Sequence, residues 1–181
     1  MQNVSDEIQE LSPARKLACN LIAAGVVLLA GLFLLLCGLD VFAVKVSEAI
    51  CGTLLCAVGL MFAASALIGN NSVSLWLSVC FLMPALVELL TKTTRAGYAE
   101  LYPLYIATPA AASLVTMCFT RCVSGHLPVI ALFGVPSAIF ALRAGGVAAW
   151  SVVVPVLVLY VGVLMAILAI KGRKKDDKDV Y

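Results

Sequence analysis

The sequence predicts an all-α polytopic membrane protein, with six transmembrane helices arranged as three hairpins. Two observations carry that prediction. Hydrophobic residues make up 63% of the 181-residue chain, charged residues 12%, and the mean hydropathy is +1.09. Soluble domains hold roughly 45–50% apolar and about 25% charged residues, so a water-soluble fold is excluded. The apolar residues also fall into blocks of about 16–24 separated by short polar breaks, the length needed to cross a hydrocarbon layer about 30 Å thick. Six spans of roughly 20 residues use about 120 positions, and the remainder leaves no room for a soluble domain.

The first element follows Arg15 and Lys16 and runs from Leu17 to Leu39, closed by Asp40. A signal peptide has an apolar region of only about 7–15 residues, so this stretch is read as a retained span. The second span covers Ala49–Ile68 and stops at Gly69, Asn70, Asn71 and Ser72; the third covers Val73–Leu90 and stops at Thr91 and Lys92. The fourth covers Leu101–Phe119, the fifth Leu127–Leu142 and the sixth Val147–Ile170. At 1.5 Å per residue, span five reaches about 24 Å and span six about 36 Å. The fifth is therefore a short crosser and the sixth must tilt or protrude. Span starts near 17, 73 and 127 recur at intervals of about 55 residues, an architectural repeat of three hairpins.

Residues 1–16 form a cytoplasmic N-terminal segment, 17–170 one six-helix domain, and 171–181 a basic cytoplasmic tail. With both termini on one side, that side carries eight Lys/Arg and the other four. The positive-inside rule then makes both termini cytoplasmic in a plasma (inner) membrane. The tail's Lys171, Arg173, Lys174, Lys175 and Lys178 alternate with Asp176, Asp177 and Asp179. This reads as a stop-transfer flank, and nucleic-acid binding is not expected. Trp76, Trp150, Tyr98 and Tyr102 stand near span starts, the depth at which amphipathic rings anchor at the interface.

Lipid tails are as apolar as Leu, so helices associate through close approach at small residues and polar contacts. Gly52, Cys56, Gly59 and Ala63 fall at i, i+4, i+7 and i+11, one narrow stripe on span two. Gly31 and Gly38 on span one, and Gly134 and Ala138 on span five, are the other expected packing positions. Pro84, Pro109, Pro136 and Pro155 lie inside spans three to six. Each removes a backbone hydrogen bond and kinks its helix, either statically or as part of a transport path.

The first hairpin, with glycines at Gly25 and Gly31, then Gly52 and Gly59 after a short outer loop, resembles the HdeD-like acid-resistance membrane proteins. The resemblance covers about a quarter of the chain, together with the six-span plan. It implies an inner-membrane, non-enzymatic, stress-protection role without catalytic residues. The second and third hairpins carry prolines where that pattern would have glycines.

Enzyme motifs are nearly absent: there is one histidine and no H-E-x-x-H or phosphate-binding loop. The seven cysteines are scattered through apolar runs and read as small buried hydrophobes. Cys37 and Cys51 lie near the same predicted side, close enough in depth to allow one bridge. Cys118, Cys122 and His126 fall at i, i+4 and i+8, with Cys19 at a similar depth. Such a set would suit a soft metal, but Gly125 breaks the helix before His126 and Arg121 adds positive charge. No metal or cofactor is expected.

Glu88 is the only charged residue inside a predicted span, and such residues are functional candidates by default. It lies within a turn of the span's end, in reach of Lys92 four positions on. The sequence thus points to a small integral membrane protein without turnover, stress-related or part of a membrane complex. Its partners would be the bilayer and a homo-oligomer or larger assembly. The alternative is a transporter, or a membrane subunit of one, for uptake or efflux of a small solute.

Overall fold

The computed structural model describes residues 12–176 apart from positions 43, 95, 122 and 124, with side chains described as far as 167. Most of the N-terminal segment, the end of the basic tail and Cys122 lie outside the described residues. Six helices follow in order: α1 Pro13–Gly38, α2 Val46–Gly69, α3 Ser72–Thr93, α4 Tyr98–Thr120, α5 Leu127–Ala144 and α6 Trp150–Asp176. All six are long and apolar enough to cross a membrane. α5, with 18 residues, is the shortest and one continuous helix, and α6, with 27, is the longest.

Local chemistry sets the boundaries. Pro13 opens α1, where its missing N–H would have no helical partner anyway. Between α2 and α3 only two residues intervene. Asn70 adopts the left-handed conformation (φ 49°) that ends α2. The Asn71 side chain then caps α3, accepting from the backbone N–H groups of Val73 at 2.9 Å and Ser74 at 3.4 Å. Arg121 (φ 56°) ends α4 in the same left-handed way. Gly146 (φ +73°) turns the chain after α5, a conformation that suits glycine.

The helices form an open row. Among the described residues each helix touches only its neighbours in sequence. The closest packing falls between the expected hairpins, at α2–α3 and α4–α5, while α5–α6 makes the sparsest contact. The tight Asn70–Asn71 junction explains the first of these: it leaves α2 and α3 no room to separate.

The row is cemented by small residues and hydroxyls. α4, in its middle, buries Pro103, Thr108, Ala110, Ala112, Ser113 and Thr116, while Leu and Val side chains on α1 and α6 face outward. This is the inverse of a soluble core, as expected where lipid solvates Leu and close backbone approach drives association. Thr108 and Thr116 donate to carbonyls one turn back on their own helix, so their hydroxyls are satisfied in place. Between helices, Trp76 Nε1 donates to Ser113 Oγ at 3.0 Å, and Ser137 Oγ donates to the Pro103 carbonyl at 2.7 Å. Tyr160 donates from α6 to the Ala131 carbonyl on α5. Trp76 is therefore turned toward α4.

The packing glycines divide. A Cβ on Gly59 would lie 2.7 Å from Leu82 Cγ and 3.1 Å from the Leu82 backbone nitrogen, so α2 and α3 meet here only because the residue is glycine. Beside it Phe62 and Phe81 stack, their centroids 5.8 Å apart. Gly52 faces Glu88 and Gly134 faces Ala110. Gly38 meets Val46 in ordinary contact, and Ala63 is half-buried. Two of the expected positions face away from the chain's own helices. Gly31 has nothing within 4 Å, because α1 touches only α2 and turns this face outward. Ala138 is exposed, because Ser137 beside it is the residue turned to α4.

Candidate functional site

Glu88 sits in the last turns of α3, beside the start of α4. Gly52 lets α2 pass close to it: a Cβ there would stand 3.3 Å from Glu88 Cβ, a tight contact. The carboxylate is held from α4. Tyr98 donates its hydroxyl to Oε2 at 2.7 Å, and Tyr105 donates to Oε1 at 3.0 Å. Seven residues, two helical turns, separate the tyrosines, so one face of α4 presents both. Tyr98 is exposed and Tyr105 half-buried, so the carboxylate lies on the boundary between apolar and polar surroundings.

The expected pairing with Lys92 does not form. Lys92 has no ion pair among the described residues, and its side chain is exposed. The tyrosines hold the carboxylate from α4 and the lysine stays exposed. Pro84 stands one turn before Glu88 but frees no carbonyl beside it. The carbonyl left without its helical donor is that of Cys80, two turns from Glu88.

Two hollows meet at Glu88. A smaller open hollow of about 470 Å³ has Ser47, Glu48, Cys51, Thr91, Lys92 and Tyr98 along with Glu88 in its lining. A larger groove of about 730 Å³ runs down between α1 and α3, with α2 as its floor. Its floor is Ala49, Gly52, Thr53, Cys56, Ala57 and Leu60, so the small residues of the α2 stripe shape a hollow as well as a helix contact. The walls are apolar, with Leu29 and Phe33 on α1 and Leu82 and Leu86 on α3, until Glu88, Lys92 and Thr93 close one end. The groove exists because α1 and α3 both pack on α2 but not on each other.

At the same end of the row, Tyr102, Phe140 and Trp150 form a chain of edge-to-face rings linking α4, α5 and α6. The Arg143 guanidinium lies over the Trp150 ring, 5.4 Å from its centroid. These contacts hold the row together at the Glu88 end.

The cysteines and His126 are elsewhere. Cys19 is on α1, Cys118 near the end of α4, and His126 directly precedes α5. The structure keeps α1 and α4 apart, and among the described residues no three His, Cys, Asp or Glu side chains group as metal ligands. Cys37 and Cys51 are both free thiols, so the bridge their depth allows is not made. Sequence reasoning missed Tyr98 and Tyr105 as partners of Glu88, and Pro103 as a proline within α4. The seven-residue tyrosine spacing at the start of span four was the available signal.

Chemically, an ionised carboxylate offers about four acceptor positions, and the tyrosines take two. The site can tie α3 to α4 and still accept hydrogen bonds from a ligand at the membrane boundary. No family model, curated protein or solved structure matches the chain.

Proposed function

We propose that the chain is a small integral protein of the plasma (inner) membrane that carries out no turnover. It acts as a structural unit assembled with further helices, as a homo-oligomer or within a larger membrane complex. The open row carries this reading. A carrier needs polar groups converging near the membrane midplane between helices that surround a path. Here each described helix meets only its chain neighbours, and the one charged residue within a predicted span, Glu88, lies toward the end of α3, tied to α4. The outward-facing Gly31 on α1 supports assembly, since small residues allow another helix to approach closely. The resemblance of the first hairpin to the HdeD-like proteins supports a stress-protection role of this non-enzymatic kind. The eight-to-four division of Lys/Arg supports cytoplasmic termini.

A second reading, a transporter or a membrane subunit of one, draws on the prolines inside α3 to α6 and on the groove that opens at Glu88. Affinity purification of the full chain in mild detergent separates the two. A homo-oligomer, or a complex without ATPase subunits, supports the proposal. Stoichiometric ATPase subunits would replace it with the second reading, and a monodisperse monomer would refute assembly.

A further inference from the structure

We infer that the groove between α1 and α3 holds one phospholipid from the leaflet on the Glu88 side, with a primary ammonium in its headgroup. This inference stands apart from the assembly proposed above and does not depend on it.

Length is the first argument. The groove follows α2 from Ala49 to Leu60 and α3 from Leu82 to Thr93. Each stretch rises about 16 Å at 1.5 Å per residue. Half of a hydrocarbon layer about 30 Å thick is about 15 Å. The groove therefore runs from one membrane boundary to the midplane, where Gly59 and Leu82 bring α2 and α3 together. A second transmembrane helix would need a surface continuing across the full thickness, whereas an acyl chain needs one leaflet. The volume, about 730 Å³, falls in the range of built ligand sites.

Chemistry at the closed end is the second argument. The groove is apolar until its last turn, where Glu88 and Lys92 stand one turn apart on the same face. Lys92 has no protein partner among the described residues, so its ammonium is free to meet a phosphate. Glu88 keeps acceptor positions beyond those used by the tyrosines, and the adjoining hollow adds Glu48 and Ser47. One ammonium beside two carboxylates complements a headgroup carrying both a phosphate and a cation. A glycerol headgroup supplies no cation for the carboxylates. A choline headgroup supplies the charge but no N–H to donate. An ethanolamine headgroup supplies both.

The test uses the purified full-length chain, stripped of lipid by detergent exchange. It is then offered equal amounts of phosphatidylethanolamine, phosphatidylcholine and phosphatidylglycerol with identical acyl chains, and retained lipid is read by native mass spectrometry. The expected result is one phosphatidylethanolamine per chain, preferred about tenfold over either competitor, the discrimination of one charge-assisted hydrogen bond. Glu88→Gln should keep a bound lipid but reduce the preference for phosphatidylethanolamine, and Glu88→Gln with Glu48→Gln should bring it level with phosphatidylcholine. Ala30→Trp, which fills the groove from α1, should lose all three. Equal retention of the three lipids by the wild type would overturn the inference, as would a preference for phosphatidylglycerol or undiminished retention by Ala30→Trp. Should Ala30→Trp fail to fold, loss of the headgroup preference in Glu88→Gln with Glu48→Gln, checked for native helical content, decides the matter, and a preference retained there overturns the inference.

Discussion

The contact at Gly59 offers a quantitative test of how α2 and α3 are held. A methyl group there would stand 2.7 Å from Leu82 Cγ, 2.8 Å from Cδ2 and 3.1 Å from the Leu82 backbone nitrogen. The first two distances can be relieved if the leucine changes rotamer, but the third is to backbone and requires the helices to part. Overpacking of this kind costs about 1–3 kcal/mol. Alanine regains roughly 0.5–1 kcal/mol over glycine within a helix. Gly59→Ala should therefore lose a net of up to about 2.5 kcal/mol, with a middle value of about 1 kcal/mol, from the difference of those two terms. Gly31→Ala supplies the control. Nothing lies within 4 Å of its added methyl, so only the propensity gain remains and the change should be neutral or stabilising, by up to about 1 kcal/mol. Unfolding in mixed micelles, followed by loss of helical circular dichroism, measures both. Adding Leu82→Ala to Gly59→Ala should recover part of the loss, because the side-chain clash disappears while the backbone one stays. Equal effects at Gly59 and Gly31, or no coupling to Leu82, would refute this account of the α2–α3 contact.

Other expectations follow from the same geometry. A double-mutant cycle of Glu88→Gln with Tyr105→Phe should give a coupling of about 0.6 kcal/mol and at most about 1.7 kcal/mol, the mean and upper end for hydrogen bonds between membrane helices, read by the same unfolding assay; zero coupling would show that the contact contributes no stability. Trp76→Phe should destabilise more than Trp150→Phe, because the Trp76 indole N–H is the donor to the fully buried Ser113 hydroxyl; chemical unfolding ranks the two. Fusions at Tyr181 should be fluorescent as a cytoplasmic reporter and inactive as a periplasmic phosphatase, and the reverse would invert the orientation. Purified protein should hold well under one equivalent of zinc or copper by elemental analysis, and stoichiometric metal lost on Cys118→Ala with Cys122→Ala would reverse the expectation for the cysteines.

Hydropathy along the chain was enough to locate every helix to within a few residues. Partition into lipid is a sum over neighbouring side chains and needs no knowledge of the fold. The Asn70–Asn71 break was legible because left-handed turns and N-caps are local backbone chemistry. Glu88 stood out for the same reason, as a charge within an apolar run. Lateral arrangement was decided only in three dimensions. Leu against Leu is hardly better than Leu against lipid, so the apolar majority of the sequence is silent about which helices touch and which face turns inward. The choice falls to shape and to hydrogen bonds between distant residues. Gly59 closes on Leu82 while Gly31, an equally plausible packing glycine in sequence, looks out from the row. Trp76 reaches Ser113, and Glu88 is claimed by Tyr98 and Tyr105 on the next helix rather than by Lys92 on its own. The groove is a property of three helices at once: it opens where α1 and α3 share α2 without touching each other, a relation no one-dimensional pattern records.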